Sequence, residues 1–311
     1  MLIPPTRILV GHKRLTGLDD HIRAARPDLD VRAQDLDTID DAALAWAECY
    51  VGFRRPKPAS FGGVRWIHCV GAGVDAYILP PVPDGIVLTR TSEDFGPQIA
   101  EYCAARALAI TQEMRKMDAA QRERRWEPDY PRPFAGSRAL VVGTGHVGGA
   151  VARTFAALGA RVTGASRSGR PAAGFERVAR VSQLRELVGE AQWIVLCAPL
   201  TADSRGLVSR ELMDQCKGAV LMNVGRGALA DEGAIPGALD RGTLRAAVLD
   251  VFEREPLPAD SPLWARADVY LTPHISGLTT LEGAAAGFLE CLDDFEHGRT
   301  PAWLVDQSRG Y

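Results

Sequence analysis

The chain has 311 residues, 46% of them hydrophobic and 24% charged, with a formal net charge of −3. That length predicts two α/β domains of ordinary globular composition rather than one small core. The weakly acidic balance, without a dense basic stripe, excludes nucleic acid as the expected partner, and no apolar run of about 18 residues is present to cross a membrane.

The chain opens Met1-Leu-Ile-Pro-Pro-Thr-Arg, without the apolar core of a signal peptide. To about Phe95, short strand-like and helix-like pieces alternate, with strands expected at Arg7–Val10, Tyr50–Phe53, Arg65–Val70 and Ile86–Thr91. The third runs through Val70 into Gly71-Ala72-Gly73-Val74-Asp75, a flexible turn at a strand's carboxyl end. Ligands sit at such ends in open α/β sheets, although the residues alone favour a plain glycine-rich turn. Pro97 opens a long helical pattern with Ile99, Cys103, Ile110, Met114 and Met117 on one face. The arginine- and proline-rich stretch Gln121–Gly136 reads as a solvated connector or a subunit contact.

Ala139–Leu158 organises the second domain. An apolar strand runs into Gly143-Thr144-Gly145-His146-Val147-Gly148, and a helix follows with Val147, Val151, Phe155 and Leu158 on one face. The spacing is G-x-G-x-x-G. Gly143 permits the tight turn, Gly145 admits a pyrophosphate to the backbone, and Gly148 allows close helix–strand packing, so the stretch is expected to bind a dinucleotide at the helix N-terminus. A second strand follows at Arg161–Ala165. NAD sites usually place a carboxylate about 20 residues past the glycines, yet no Asp or Glu occurs from Ala150 through Phe175. Ser166-Arg167-Ser168-Gly169-Arg170 stands there instead. A guanidinium and hydroxyls suit a 2′-phosphate, so NADP(H) is the expected cofactor, with NAD(H) as the alternative.

Further strands are expected at Trp193–Cys197, Ala219–Asn223, Ala246–Val251 and Val269–Thr272, mostly separated by helical links, as parallel pairing requires. Three of them lead straight into unusual polar residues: Arg226 after Asn223, Glu255 shortly after Val251, and His274 after Thr272-Pro273. A cation, a carboxylate and a histidine thus converge on one sheet edge. That set suits reduction of a 2-oxo acid. Arg226 can hold a carboxylate and polarise a carbonyl, and His274 can deliver a proton near neutral pH. Glu255 can orient the ring and favour its protonated form. The tail, Leu281–His297, is amphipathic through Leu281, Ala285, Phe288, Leu292 and Phe295. The cysteines (Cys49, Cys69, Cys103, Cys197, Cys216 and Cys291) are scattered without a C-x-x-C pair. They read as reduced core thiols of a cytoplasmic protein, with no metal site.

These motifs resemble the D-isomer-specific 2-hydroxyacid dehydrogenases over nearly the whole chain. The resemblance rests on Val70–Asp75, Gly143–Gly148, Asn223-Val224-Gly225-Arg226-Gly227, Leu249–Leu257 and Thr272-Pro273-His274. It implies a catalytic triad of Arg226, Glu255 and His274, with Glu253 outside the family's position. It further implies that Asp250 meets the nicotinamide carboxamide and that Ala198, Pro199, Val224 and Gly225 line the cofactor. The Val70–Gly73 turn would hold the substrate carboxylate, reversing the plain-turn reading. The implied fold has two Rossmann-like or flavodoxin-like parallel-sheet domains, and the usual assembly is a homodimer. Residues 1–95 and about 283–311 would form the substrate domain and 96–282 the cofactor domain, with the substrate, a small 2-oxo or 2-hydroxy acid, between them.

Ser166-Arg167-Ser168 is similar to the NADPH-using glyoxylate/hydroxypyruvate reductases of that family. His146 departs from the arginine often found in the phosphate loop, and Gly277-Leu278-Thr279 also differs from some reductases. Formate oxidation is disfavoured because that type carries glutamine at the place of Glu255. Phosphite oxidation and a non-enzymatic, corepressor-like cofactor sensor remain alternatives. Phosphoglycerate oxidation is less expected, since no long regulatory domain follows the tail helix. Pocket walls are expected among aromatics such as Trp46, Tyr77, Phe95 and Trp264.

Overall fold

The computed structural model describes every residue except 1, 2, 13, 14, 59, 92–94, 127, 129, 302 and 308–311. Part of the opening stretch and two positions of the 121–136 connector therefore lie outside the described residues. The chain divides into two units, Met1–Asp94 with Thr279–Tyr311, and Phe95–Leu278. The helix Leu281–Glu296 thus falls wholly in the first unit, whose second segment starts a few residues before the expected 283. Thr280 sets that start, because its hydroxyl accepts the Gly283 amide at 3.0 Å and caps the helix.

The first unit is a five-stranded parallel sheet of β1 (Arg7–His12), β2 (Asp30–Asp35), β3 (Cys49–Gly52), β4 (Trp66–Cys69) and β5 (Val87–Arg90). Their order is β2-β1-β3-β4-β5. The inner strands β3 and β4 are buried throughout, as expected for a parallel sheet covered on both faces. The C-terminal helix covers one face through Phe288, which stacks on Trp66 with ring centroids 5.1 Å apart, and through Phe295, edge-on to the same indole at 4.9 Å. Beside them, His68 is 0% exposed, its ring nitrogens 2.8 and 2.9 Å from the hydroxyls of Thr89 and Thr91. Burial pushes its pKa down from 6.5 to about 3.

The second unit is a seven-stranded parallel sheet. It comprises β6 (Arg138–Val142), β7 (Arg161–Ser166), β8 (Arg177–Arg180), β9 (Trp193–Leu196), β10 (Ala219–Asn223), β11 (Leu244–Leu249) and β12 (Val269–Leu271). The order β12-β11-β10-β9-β6-β7-β8 reverses direction at the β6–β9 pair. That reversal sets the carboxyl ends of β6 and β9 side by side, where such sheets bind ligands. The helices Phe95–Thr111 and His146–Ala157 share one core, in which Ile99, Cys103, Val151 and Phe155 are buried.

The two parallel sheets are those the motifs implied, with three local differences. The helix opening near Pro97 ends at Thr111, and Glu113 adopts a left-handed φ of 52° before a second helix, Met114–Arg122. Met114 is consequently 47% exposed rather than on the apolar face. The strands β2 and β8 were not expected. Both are polar edge strands, with Val31 the only buried residue of β2 and none buried in β8. Finally, β11 ends at Leu249, so Asp250 and Val251 belong to the loop that follows it.

Candidate active site

The glycine loop follows β6. Gly143 has a φ of +101°, and a Cβ there would lie 2.7 Å from the Ala198 amide nitrogen, so only glycine lets this turn pack against the loop after β9. At Gly148 a Cβ would drive into the Gly143 carbonyl oxygen, which fixes the helix tightly over its own strand. Gly145, the N-cap, has nothing within 4 Å of an added Cβ, and no side chain caps the helix. The loop therefore presents open space in front of the first-turn amides of the helix, which point out of its N-terminus. Such a cradle fits a dinucleotide pyrophosphate. Thr144 packs against Gly164 of β7, while Ala198 and Pro199 sit half-buried and exposed in the adjoining loop.

At the end of β7, Ser166 Oγ accepts the Gly169 amide at 3.1 Å and Ser168 Oγ accepts the Arg170 amide at 3.3 Å. Both hydroxyls shape the turn, while Arg167 and Arg170 are exposed on it. With no carboxylate from Ala150 through Phe175, the turn has the charge to receive a phosphate.

Three loops build the polar cluster at the carboxyl ends of β10, β11 and β12. Asn223, 1% exposed, braces the first loop: its Nδ2 donates to the Arg226 carbonyl at 2.9 Å, and its Oδ1 accepts the Gly225 amide at 3.2 Å. Val224 is buried, and Arg226, half-buried, donates Nη1 to the Gly225 carbonyl at 2.7 Å. A Cβ at Gly227 would collide with the backbone of Phe252 and Glu253, so that glycine seats the Arg226 loop on the Glu255 loop.

In the second loop Glu255 Oε1 accepts the Phe252 amide at 3.1 Å, and Oε2 lies 2.9 Å from His274 Nδ1. Burial pushes the Glu255 carboxyl up, but the His274 hydrogen bond and charge, the Phe252 amide and the Arg226 charge outweigh it. The net pKa is below the ordinary carboxylate value. The ring stays accessible, with the His274 side chain 39% exposed. Glu253 takes no part in this pair; its amide donates to Glu232.

The third loop is held by Asp250, which is 0% exposed. Its Oδ1 accepts from the Thr272 hydroxyl at 2.6 Å and the Ile275 amide at 2.9 Å, Oδ2 accepts the Ser276 amide at 2.9 Å, and its carbonyl accepts the His274 amide at 2.8 Å. These bonds hold His274 at a left-handed φ of 56°. A non-glycine residue there needs such support. Asp250 thus has a structural duty that the sequence did not reveal. Asn223 and Thr272 stand in motifs read from the sequence, but their bracing roles show only in the structure.

Together the loops place a cation, a carboxylate-paired histidine and their braces on one sheet edge, a set able to hold an anion and move a proton. The expected wall residues divide differently. Tyr77 and Phe95 are buried in their cores, and the Tyr77 hydroxyl donates to the Gly52 carbonyl. Trp46 is half-buried beneath the Arg32 guanidinium, and Trp264 is 56% exposed with its Nε1 on the Pro258 carbonyl. Tyr77 and Phe95 are therefore core residues.

Residues 104–276 match the family model for the NAD-binding domain of the D-isomer specific 2-hydroxyacid dehydrogenases. The glyoxylate/hydroxypyruvate reductase A of Salmonella typhi is 32% identical over 87% of this chain and 88% of its own. Among solved structures, a D-isomer specific 2-hydroxyacid dehydrogenase of Xanthobacter autotrophicus Py2, in complex with NADPH and MES, aligns with a TM-score of 0.88. It is 31% identical and covers 99% of this chain and 100% of that one. The NADPH-dependent glyoxylate/hydroxypyruvate reductase of Sinorhizobium meliloti, in complex with NADP and sulfate, aligns at 0.86 with 27% identity, covering 98% and 100%. The glycine cradle, the three braced loops and these matches agree: the chain belongs to the D-isomer specific 2-hydroxyacid dehydrogenase family, whose members act on hydroxy acids with a nicotinamide cofactor.

Proposed function

We propose that the protein reduces a small 2-oxo acid of the glyoxylate or hydroxypyruvate class to its D-2-hydroxy acid, with NADPH preferred over NADH. The observation that carries this reading is the 2.9 Å bond between Glu255 Oε2 and His274 Nδ1, on loops that also carry Arg226. When bound, the reduced nicotinamide supplies the hydride. Gly143–Gly148, with Ala198, Pro199, Val224 and Gly225, would hold the dinucleotide, and Arg167 and Arg170 would meet its 2′-phosphate. Arg226 orients the substrate and draws electron density toward the 2-oxygen as negative charge builds there. His274, held through Nδ1, gives the proton on Nε2 to that oxygen, and Glu255 stabilises the charged ring until the transfer. The Val70–Gly73 turn offers amides for the substrate carboxylate.

NADPH preference draws on the carboxylate-free turn at Ser166–Arg170 and on the NADPH- and NADP-bound relatives. A homodimer is the assembly proposed. The cysteines, all free and five of them buried, suit a reducing, cytoplasmic setting. Among the described residues, no helix is long and apolar enough to cross a membrane.

The test is oxidation of NADPH and of NADH in the presence of glyoxylate, hydroxypyruvate, pyruvate and phenylpyruvate. Turnover of a small 2-oxo acid with NADPH favoured is the expected result. A preference for NADH removes the Arg167 argument alone. Tight cofactor binding without turnover of any of these acids refutes the reading and favours a sensor role or an unusual substrate.

A further inference from the structure

The turn after β4 is met by an arginine that belongs to none of the motifs. Parallel register sets Cys69 of β4 opposite Arg90 of β5. Arg90 therefore lies beside the residues that follow Cys69, and its Nη1 donates to the Ala72 carbonyl at 3.3 Å. The Gly73 carbonyl is taken from the other side by the Cys69 thiol at 3.3 Å, and the Val74 carbonyl by the amides of Tyr77 and Ile78. With those carbonyls engaged, the amides of Gly71, Ala72 and Gly73 have no acceptor among the described residues, and Gly71 is buried. A run of unpaired amides is an anion-binding concavity. A buried donor left without a partner is rare in folded proteins.

Arg90 adds the charge. It is half-buried, with its guanidinium 5.6 Å above the Trp303 ring, and no carboxylate pairs with it among the described residues. Burial weakens its hold on the proton, a cost usually offset by an ion partner. An uncompensated guanidinium next to free amides is a site built for an anion that arrives from solution.

We infer that Arg90 is a substrate-binding residue, holding the carboxylate of the 2-oxo acid on the Gly71–Gly73 amides. The inference rests on the function proposed above. It also restricts the substrate class to acids whose carboxylate is ionised and unhindered.

Arg90→Gln tests it, because the amide can still donate to the Ala72 carbonyl while the charge is lost. The expected result is a rise in KM for glyoxylate on the order of 10- to 100-fold, the scale of a lost charge-assisted bond. kcat should change far less, and Arg90→Lys should recover part of the affinity. Calorimetric titration of oxalate into wild type and variant reads the same site without turnover, and the affinity should fall by a similar factor. Thermal midpoints confirm that each variant folds. Equal KM and equal oxalate affinity in wild type and Arg90→Gln overturn the inference, as does failure of oxalate to bind the wild type. A wild type that binds oxalate through Arg90 yet turns over no 2-oxo acid refutes the proposed function and leaves the anion site standing.

Discussion

His68 and His274 place one residue type in opposite settings. His68 lies in the interior of the first unit, 0% exposed, between two threonine hydroxyls and under the Trp66–Phe288 stack. His274 stands at a strand end in the second unit, 39% exposed, with a carboxylate on Nδ1. Burial without a charged partner keeps the first ring neutral, and two hydroxyls satisfy it. The second ring keeps a carboxylate on Nδ1 and stays partly open to solvent. The difference teaches that histidine chemistry is assigned by neighbours and solvent.

The widest contrast is in turnover. His274→Gln should lower kcat by about 10²–10⁴, the usual share of a general acid, while the melting temperature hardly moves, because the side chain is outside the core. A loss under tenfold in single-turnover reduction contradicts the assignment. Phe288→Ala should do the reverse to the first unit. Removing the ring stacked on Trp66 costs about 3–5 kcal/mol of stability, read as a lower urea midpoint. An unchanged midpoint would mean that the C-terminal helix contributes little to this core.

pH sharpens the comparison further. The folded His68 pKa, about 3, is below its ordinary 6.5. Its contribution is therefore complete above 6.5 and lost as pH falls toward 3. Between pH 7 and pH 5 that amounts to about 2 kcal/mol. Denaturant unfolding at both pH values, set against His68→Gln, measures it, and equal slopes in both proteins would discard the buried-neutral account. The Glu255 carboxyl is also depressed, so the His274 pair is complete above the ordinary carboxylate value and lost as pH falls through the folded one. The smallest effect concerns the cofactor: Arg167→Ala should raise KM for NADPH about tenfold, the cost of one phosphate contact, and leave KM for NADH unchanged. Equal shifts for both cofactors would take the 2′-phosphate away from this turn.

Much of this was legible from the residues. The strand, the three glycines and the amphipathic helix at Ala139–Leu158 follow one another in an order that few other structures share. Arg226, Glu255 and His274 each stand within a few residues of an apolar strand's end. Less legible were β2 and β8, whose polar edge strands bury too little to leave a period-two signal. The break at Glu113 was hidden because the apolar spacing continues through it while the backbone does not. Asn223 braces the backbone of its own loop, Asp250 the amides of the loop after β12, and Thr272 the Asp250 carboxylate, contacts that no spacing rule records. Arg90 meets Ala72 only because β4 and β5 pair in parallel, a fact of topology rather than of local sequence.

The pH dependence of glyoxylate reduction by NADPH, in wild type and in Glu255→Gln, tests the central claim that the Glu255–His274 pair is the proton donor. Replacing the carboxylate with an amide removes the ring's anionic partner, so kcat/KM should fall across the pH range while the protein stays folded. An unchanged profile would show that the transferred proton is not held by this pair.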